Sequence, residues 1–213
     1  MLKNKETLII GARSGIGLET MKCFAKNGAN IYACVRKTDK EFLSICEDLE
    51  KNHKVKVSIL IFDVNDLNQT KETLSKLNEI DVYVNTAAII DFALFEMTPI
   101  KKAKEIFDTN FFSQFEIMQI IIRKMKKKGG SIINLSSSAN FEKNSGTSIY
   151  ASSKAALEAL SKVISRELGR YKIRVNVVQP GLVETEKMRE KHSDKIIEQQ
   201  LQKLSLKEII HPR

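Results

Sequence analysis

A tyrosine and a lysine stand four residues apart in the segment SIYASSKAALEAL, residues 148–160. The alanine-rich pattern predicts a helix, and its 3.6-residue repeat places Tyr150 and Lys154 on one face, one turn apart. A free tyrosine has a pKa near 10, and a fixed ammonium nearby favours its ionised form. Such a pair could protonate the oxygen of a substrate. An ordinary exposed helix face has the same spacing, so the surrounding elements must decide between the two interpretations.

The elements that would position this pair alternate regularly along the chain. Six short apolar runs predict strands, at residues 7–10, 31–35, 55–62, 82–85, 131–135 and 173–178. Helices are predicted between them, the longest at 100–127 and 150–170, and a last one lies within 187–204. Strands that are apolar throughout are buried on both faces, and alternation with helices predicts a parallel sheet. We therefore predict a doubly wound α/β fold of the Rossmann type, a single domain over residues 1–213.

Composition excludes several classes of protein. The chain of 213 residues is 42% hydrophobic and has only 9 glycines and 3 prolines, which is typical of a globular domain and not of a disordered chain. It has no apolar run long enough to cross a bilayer and no signal-peptide pattern at its start. Cys23, Cys34 and Cys46 lack metal-ligand spacing. We expect a cytoplasmic protein without a metal site or a membrane partner.

The net charge of +9 is high enough to suit a nucleic acid or an acidic protein partner. The lysines are scattered over polar helix faces, however, and the one dense cluster, RKMKKK at 123–128, has no interleaved aromatic residues. We favour a lysine-rich solvated surface and expect no nucleic-acid partner. A basic nucleic-acid-binding Rossmann domain remains the less favoured alternative.

Unusual residues follow the ends of all six predicted strands. They are the glycine segment 11–17, Arg36, Asp63, Asn85, Ser137 and the segment 180–185. The carboxyl ends of parallel strands meet at one edge of a sheet, where ligands of such folds bind. The sequence therefore predicts one ligand site built from six strand ends.

The segment GARSGIG, residues 11–17, predicts the phosphate-binding part of this site. Gly11, Gly15 and Gly17 allow a tight turn and a close approach of the backbone to a phosphate. The backbone N–H groups of Arg13, Ser14 and Ile16 and the positive end of the following helix would face a pyrophosphate. This pattern favours a dinucleotide site over an ordinary turn between a strand and a helix.

The end of the second strand bears on the choice between NAD and NADP. An acid there is typical of NAD sites, whereas this chain has ACVRK with Arg36 and no acid. Arg13 in the glycine segment could add a second guanidinium for the 2′-phosphate. We therefore predict NADP(H) as the cofactor. Asp63, with Val64 after it, is placed to accept a hydrogen bond from the adenine, although it could equally cap the next turn.

These motifs together resemble the short-chain dehydrogenase/reductase family, and within it the bacterial 3-oxoacyl-[acyl-carrier-protein] reductases. The resemblance covers essentially the whole chain. Its carriers are the glycine segment, Asp63, Asn110 in FDTN, Ser137 in IINLSSSA, Tyr150 and Lys154 in YASSK, and RVNVVQPGLVET at 174–185.

The resemblance implies a ketone substrate and a role for each matching residue. Tyr150 would donate a proton to the carbonyl oxygen, and Lys154 would lower the pKa of Tyr150 and hold the nicotinamide ribose. Ser137 would bind the carbonyl, with its neighbouring serines as alternatives if the register differs by one. Asn110 would bind a water that links Lys154 to solvent. Without the other three residues, Asn110 would be interpreted as a helix residue bonded to local backbone.

Further nucleotide contacts are implied at two later strand ends. Asn85 and Ala87 would form the wall beside the adenosine ribose. The loop after the sixth strand would cover the nicotinamide with Pro180, Gly181, Val183 and Thr185.

The chain also departs from the family pattern. Ile10 replaces a threonine, so we expect that a polar contact bracing the glycine segment is absent. Ala88 replaces a glycine, and together the two changes predict weakened cofactor binding. The sequence stops at SLKEIIHPR, before the family's last helix and strand. We expect a homo-oligomer if that end is complete.

The substrate is less constrained than the reaction. The apolar loop 89–99 and the helix at 186–204 are predicted to border the pocket and suit an acyl ketone. An acyl carrier protein, being acidic, could dock on five cations: Lys126, Lys127, Lys128, Arg170 and Lys172. Sugar, steroid and small carbonyl substrates remain open, as does a catalytically weak nucleotide-binding protein.

Overall fold

The computed structural model describes residues 2–191, 197–198, 201–202 and 206–212. Six parallel strands form one sheet: β1 Glu6–Ile10, β2 Asn30–Val35, β3 Val57–Ile61, β4 Val82–Asn85, β5 Gly130–Leu135 and β6 Ile173–Val178. Their order across the sheet is β3-β2-β1-β4-β5-β6. The predicted doubly wound α/β fold is therefore confirmed.

Helices connect successive strands. They are α1 Gly15–Lys26, α2 Lys40–His53, α3 Leu67–Ser75, α4 Ile100–Phe107, α5 Ser113–Met125, α6 Ala139–Glu142, α7 Ser148–Leu168 and α8 Glu186–Lys191. The single helix predicted at 100–127 is divided by a π-helical segment, Asp108–Phe112. The short helix α6 and the 3₁₀ turns Phe95–Met97 and Gly169–Tyr171 are not predicted by the sequence pattern. Most of the helix expected at 187–204 lies outside the described residues.

Successive residues of each strand point to opposite faces of the sheet, and both faces are buried at the central strands β1 and β4. In β1, Leu8 and Ile10 pack into one hydrophobic cluster with Tyr83, whereas Ile9 packs into another with Met21. Each such buried side chain contributes about 1.5–3 kcal/mol relative to an exposed one. The two-sided core therefore fixes the strands, and with them the positions of the loops at their ends.

The carboxyl ends of neighbouring strands are in register. Ile10 at the end of β1 pairs with Asn85 at the end of β4, and Leu135 at the end of β5 pairs with Val178 at the end of β6. The strand order reverses between β1 and β4, where such sheets open a crevice for ligands. Within the described residues, no helix is long and apolar enough to cross a membrane.

Candidate active site

Tyr150 lies in the first turn of α7, with its side chain only 8% exposed. The side chain of Ser137, which follows β5 by two residues, lies near enough to the phenol to affect its pKa. Burial raises the pKa of Tyr150, and the hydroxyl of Ser137 offsets part of that rise. The phenol therefore keeps its proton well beyond neutral pH.

Lys154 lies one turn further along α7 and is 2% exposed. Its Nζ donates a hydrogen bond of 2.8 Å to the carbonyl oxygen of Leu135, the last residue of β5. Burial lowers the pKa of Lys154 to about 8. The expected fall of the pKa of Tyr150 toward neutral is wrong for this structure, because burial of the phenol outweighs whatever favours its charged form and the pKa is raised.

The serines after β5 have different partners. Ser137 Oγ accepts the N–H of Ala139 at 3.2 Å. The hydroxyl of Ser136 instead donates to the backbone oxygen of Lys154 at 3.3 Å. Ser137 is thus the serine whose side chain acts on the pKa of Tyr150, while Ser136 joins the loop to α7.

Glu158, one turn beyond Lys154, anchors the same loop. Asn140 donates from Nδ2 to Ser136 Oγ at 3.0 Å and to Glu158 Oε2 at 3.2 Å. The amide of Gln179, directly after β6, also donates to Glu158 Oε2. One carboxylate therefore ties the loops after β5 and β6 to the helix that carries Tyr150 and Lys154.

Asn110 occupies the middle of the π-helical segment and is fully buried. Its Oδ1 accepts the N–H of Ile89 at 2.8 Å, and its Nδ2 donates to the carbonyl of Ile89 and to Ser153 Oγ, both at 3.0 Å. Its partners are therefore not local backbone but the loop after β4 and helix α7. That Asn110 binds a water stays a prediction.

The glycine segment forms a tight turn between β1 and α1. Gly11 and Gly15 have positive φ angles, +85° and +56°, that side-chain-bearing residues rarely adopt. A Cβ on Gly17 would overlap the carbonyl oxygen of Gly11, and one on Gly15 would lie 3.0 Å from the methyl group of Thr185. A Cβ on Gly11 would lie 2.8 Å from the hydroxyl oxygen of Thr86, so all three glycines serve close packing. Thr185 lies against the turn at Gly15.

The N-terminus of α1 differs from those of its neighbours. Asp39 caps α2 by accepting the N–H of Phe42, and Asp66 caps α3 by accepting the N–H of Gln69. Ser14 stands at the N-cap of α1, yet its side chain makes no capping bond and the first turn has no acid. The first N–H groups of a helix have no partner within it. The end of α1 therefore offers free donors and positive potential to an anion.

Thr86, directly after β4, braces the glycine turn. Its hydroxyl donates to the carbonyl oxygen of Ile10 at 2.7 Å, with the oxygen of Gly11 at 3.3 Å. Its backbone N–H also donates to Ile10, at 3.0 Å. The expectation that Ile10 leaves the turn without a polar brace is therefore wrong, because the neighbouring strand supplies one.

Asn85, at the end of β4, is 0% exposed, and neither Oδ1 nor Nδ2 has a hydrogen-bond partner among the described residues. Unsatisfied buried amides are uncommon and costly. Ala87 lies two residues on, and its backbone nitrogen is 3.0 Å from the position of a Cβ on Gly11. The orphaned amide, the glycine turn and the uncapped helix together fit a bound dinucleotide.

The remaining predicted nucleotide residues lie around the same edge. Arg36 is exposed at the end of β2, whereas Arg13 forms an ion pair with Asp39. Asp63 follows β3, and its Oδ1 accepts the N–H of Asn65 at 2.9 Å, so it caps a turn, while Val64 is buried.

The loop after β6 also reaches this edge. Pro180 accepts the N–H of Ser138 at 3.0 Å, which ties it to the loop that carries Ser137. Gly181 has open space around its Cβ position, and Val183 pairs with Ile210 in a parallel bridge. With Thr185 against the glycine turn, the loop lies between the chemical and the nucleotide ends of the site.

Three residues of the site were not predicted from the sequence: Thr86, Asp39 and Glu158. An aspartate three residues before a phenylalanine at a helix start is a recognisable cap signal, but its pairing with Arg13 is a tertiary contact. For Thr86 and Glu158, no local pattern indicates the partner.

Comparison with known proteins decides the family. Residues 5–196 match the family model described as short chain dehydrogenase. The chain belongs to the short-chain dehydrogenase family. Membership agrees with the position of Ser137, Tyr150 and Lys154 at the same sheet edge as the glycine turn.

Relatives of this short-chain dehydrogenase include several named reductases. It is 35% identical over 210 residues to 3-oxoacyl-[acyl-carrier-protein] reductase FabG of Thermotoga maritima, covering 96% of this chain and 84% of the relative. It is 34% identical over 189 residues to carbonyl reductase [NADPH] 2 of Sus scrofa, covering 88% and 75%. A solved dehydrogenase/reductase from Sinorhizobium meliloti 1021 is 27% identical with a TM-score of 0.90, covering 99% of this chain and 84% of that one.

Proposed function

We propose that this short-chain dehydrogenase uses NADPH to reduce a ketone to a secondary alcohol, with Tyr150 as the proton donor. The observation that carries the proposal is the buried phenol near the side chain of Ser137, with the buried amine of Lys154 one turn along α7. This group stands at the same sheet edge as the uncapped end of α1. A reducing, cytoplasmic setting suits the free thiols of Cys23, Cys34 and Cys46.

The residues of the chain divide the chemistry among them. The hydroxyls of Ser137 and Tyr150 donate hydrogen bonds to the ketone oxygen and orient the carbonyl. When bound, NADPH supplies the hydride that reduces the carbonyl carbon. Tyr150 passes its proton to the oxygen as negative charge develops there, giving the alcohol and a phenolate. Lys154 has a pKa of about 8 and is therefore protonated at neutral pH. Its positive charge stabilises the phenolate of Tyr150 until a proton from solvent restores the phenol.

The raised pKa of Tyr150 suits this side chain to the role of proton donor. A proton donor must be protonated at the start of the step, and the buried phenol is so at neutral pH. The protonation state of Tyr150 therefore fits ketone reduction near neutral pH.

The choice of NADPH is supported by charge at the end of β2. Arg36 is exposed there, and Lys37 follows it. Cations suit the 2′-phosphate that distinguishes NADPH from NADH. The named relative carbonyl reductase [NADPH] 2 agrees with this choice.

We propose a 3-oxoacyl thioester carried on acyl carrier protein as the substrate. The named relatives and one basic surface support this. Lys126, at the end of α5, and Arg170, after α7, both stand 4.8 Å from the ring centre of Tyr171. Lys128 is instead paired with Glu79. Of the five expected docking cations, Lys126 and Arg170 thus share one spot that an acidic carrier could contact.

The pocket border supports an acyl chain. Apolar side chains are exposed on the loop between β4 and α4 and on the adjacent α6: Phe92, Leu94, Phe95, Met97 and Phe141. The N–H of Ala93, in the first of these segments, donates a hydrogen bond of 3.0 Å to the carbonyl oxygen of Gly146, which lies between α6 and α7. An apolar rim beside Ser137 would favour a hydrophobic ketone over a sugar.

The reaction is tested by a cofactor titration followed by a ketone screen. NADPH fluorescence should change on binding, and NADPH should be oxidised in the presence of 3-oxoacyl thioesters. Tyr150→Phe should lower the reduction rate by about 10²–10⁴-fold and keep NADPH affinity. Tyr32→Phe makes the same chemical change in β2 and should leave the rate unchanged. Binding without turnover of any ketone would instead favour the catalytically weak protein, and no binding would refute the proposal.

The carrier is tested separately by charge reversal. Lys126→Glu should raise the KM for a carrier-bound 3-oxoacyl substrate about tenfold and leave that for a free thioester unchanged, since rim charges act mainly on encounter. Lys51→Glu, on the exposed end of α2, is the control. Equal effects on both substrates would refute docking at Lys126.

A further inference from the structure

Arg13 and Asp39 form an ion pair between the glycine turn and the start of α2. The two carboxylate oxygens of Asp39 have separate partners. Its Oδ1 accepts the N–H of Phe42 at 2.9 Å as the helix cap, and its Oδ2 faces Arg13 Nη2. Both side chains are partly exposed, at 39% for Arg13 and 42% for Asp39. The cap therefore holds the acid in place opposite the guanidinium.

The pair stands at the nucleotide end of the site. It lines a cleft of about 240 Å³ together with Ser14, Gly15 and Thr185. Arg13 Nε is buried and has no partner among the described residues, so part of the guanidinium's donor capacity is unused. Two further carboxylates, Glu41 and Glu186, act on Arg13 at longer range.

We propose that Asp39 sets the nucleotide preference by occupying Arg13, so that the 2′-phosphate of NADPH must displace a carboxylate of the chain itself. The inference rests on the proposed use of NADPH. A phosphate monoester carries about −1.5 to −2 charges and binds arginine in bidentate fashion, so it can compete with one carboxylate. The neutral 2′-hydroxyl of NADH does not compete with Asp39 for the guanidinium of Arg13.

This arrangement lowers the discrimination between the two nucleotides. Arg36 is free of ion pairs within the described part of the chain and would attract the 2′-phosphate directly. Arg13 adds its full attraction only after Asp39 has left it. Asp39 thus weakens NADPH binding and leaves NADH binding almost unchanged.

Asp39→Asn tests the proposal with little effect on folding. Asparagine caps helices about as well as aspartate, so α2 should keep its start while the negative charge is lost. Asp66→Asn is the matched control, because Asp66 caps α3 in the same way and accepts the N–H of Gln69 at 3.0 Å. The dissociation constants of NADPH and NADH are measured by calorimetry for the full chain and both variants.

We expect Asp39→Asn to tighten NADPH binding about tenfold, or about 1.4 kcal/mol, with NADH binding unchanged. Asp66→Asn should leave the ratio of the two constants as it is. In an Arg13→Ala background, Asp39→Asn should have little effect, because there is no guanidinium to release. These three results together support the proposal.

Other outcomes overturn it. If both nucleotides bind and their ratio is unchanged in Asp39→Asn, Asp39 does not set the preference. If NADH binding weakens, Asp39 is a ribose ligand. If the gain persists in the Arg13→Ala background, simple repulsion and not occupancy is the cause. Failure of the original chain to bind either nucleotide would refute the proposed function itself, which is a distinct result.

Discussion

Lys154 is a buried amine. We expect it to be needed for catalysis and, at the same time, to lower the stability of the fold. Its Nζ has one hydrogen bond, to the oxygen of Leu135, and its pKa falls from 10.5 to about 8 because of burial. We predict that Lys154→Met abolishes ketone reduction and raises the free energy of unfolding at neutral pH. Methionine has a similar length and no charge to desolvate.

The magnitude follows from the pKa. A fall from 10.5 to about 8 corresponds to about 3 kcal/mol of destabilisation while the amine is protonated in both states. Loss of the bond to Leu135 leaves a buried carbonyl unsatisfied, at a cost of about 1–3 kcal/mol. The net gain for Lys154→Met at pH 7 is therefore about 1 kcal/mol.

The pH dependence is the sharper measurement. Between about pH 8 and 10.5 the unfolded chain still binds the proton that folded Lys154 has lost, so the original chain becomes more stable as pH rises. The advantage of Lys154→Met should shrink by about 1.4 kcal/mol per pH unit across that range. Other titrating groups cancel in the difference between the two proteins.

Urea unfolding at about pH 7 and about pH 9.5 measures this difference, and we expect it to fall by about 2 kcal/mol. Lys51→Met, on the exposed last turn of α2, is the control and should show no such trend. If the difference in free energy of unfolding between Lys154→Met and the original chain does not change with pH, the conclusion that protonated Lys154 destabilises the fold is refuted.

Three further predictions concern Tyr150 and the glycine turn. The phenolate absorbance that Tyr150→Phe removes should appear only above pH 10, because burial raises the pKa of Tyr150; a signal at neutral pH would contradict this. Thr86→Val should lower the free energy of unfolding by about 1 kcal/mol and weaken NADPH binding, measured by urea unfolding and titration, since it removes the hydroxyl bond to Ile10. Gly17→Ala should destabilise the fold by about 1–3 kcal/mol and reduce NADPH affinity, because its Cβ would overlap Gly11. Gly169→Ala, where a Cβ meets nothing within 4 Å, should change neither quantity.

The strands could be predicted from the sequence because each is a short run of mainly apolar, β-branched residues between helical segments. Five of the six, β1, β2, β4, β5 and β6, lie within one residue of their predicted bounds, even though β6 contains Arg174 and Asn176; β3 begins two residues later than predicted. The π-helical segment could not be predicted, because it depends on where Asn110 finds partners. Those partners, Ile89 and Ser153, are 21 and 43 residues away.

The spacing of Tyr150 and Lys154 correctly places both on one helix, but it does not predict their pKa values. A four-residue interval gives the face of a helix and not its depth in the protein. The phenol is buried deeply enough that desolvation outweighs any stabilisation of its charged form, and the amine is bonded to β5. Electrostatics at such a site depend on tertiary packing, which the sequence pattern does not contain.

Departures from a family pattern should be judged by what replaces the lost contact. Ile10 removes a hydroxyl from the end of β1, yet Thr86 on the neighbouring strand returns a 2.7 Å bond to the same carbonyl. This departure therefore gives no reason to expect weak nucleotide binding. Ala88 and the Asp39 ion pair remain as the two features that could weaken it, and they differ in kind. An effect of Ala88 on the ribose wall would apply equally to NADPH and NADH, whereas the carboxylate of Asp39 acts on the 2′-phosphate alone. The ratio of the NADPH affinity to the NADH affinity consequently separates the two causes: Asp39 changes this ratio, and Ala88 does not.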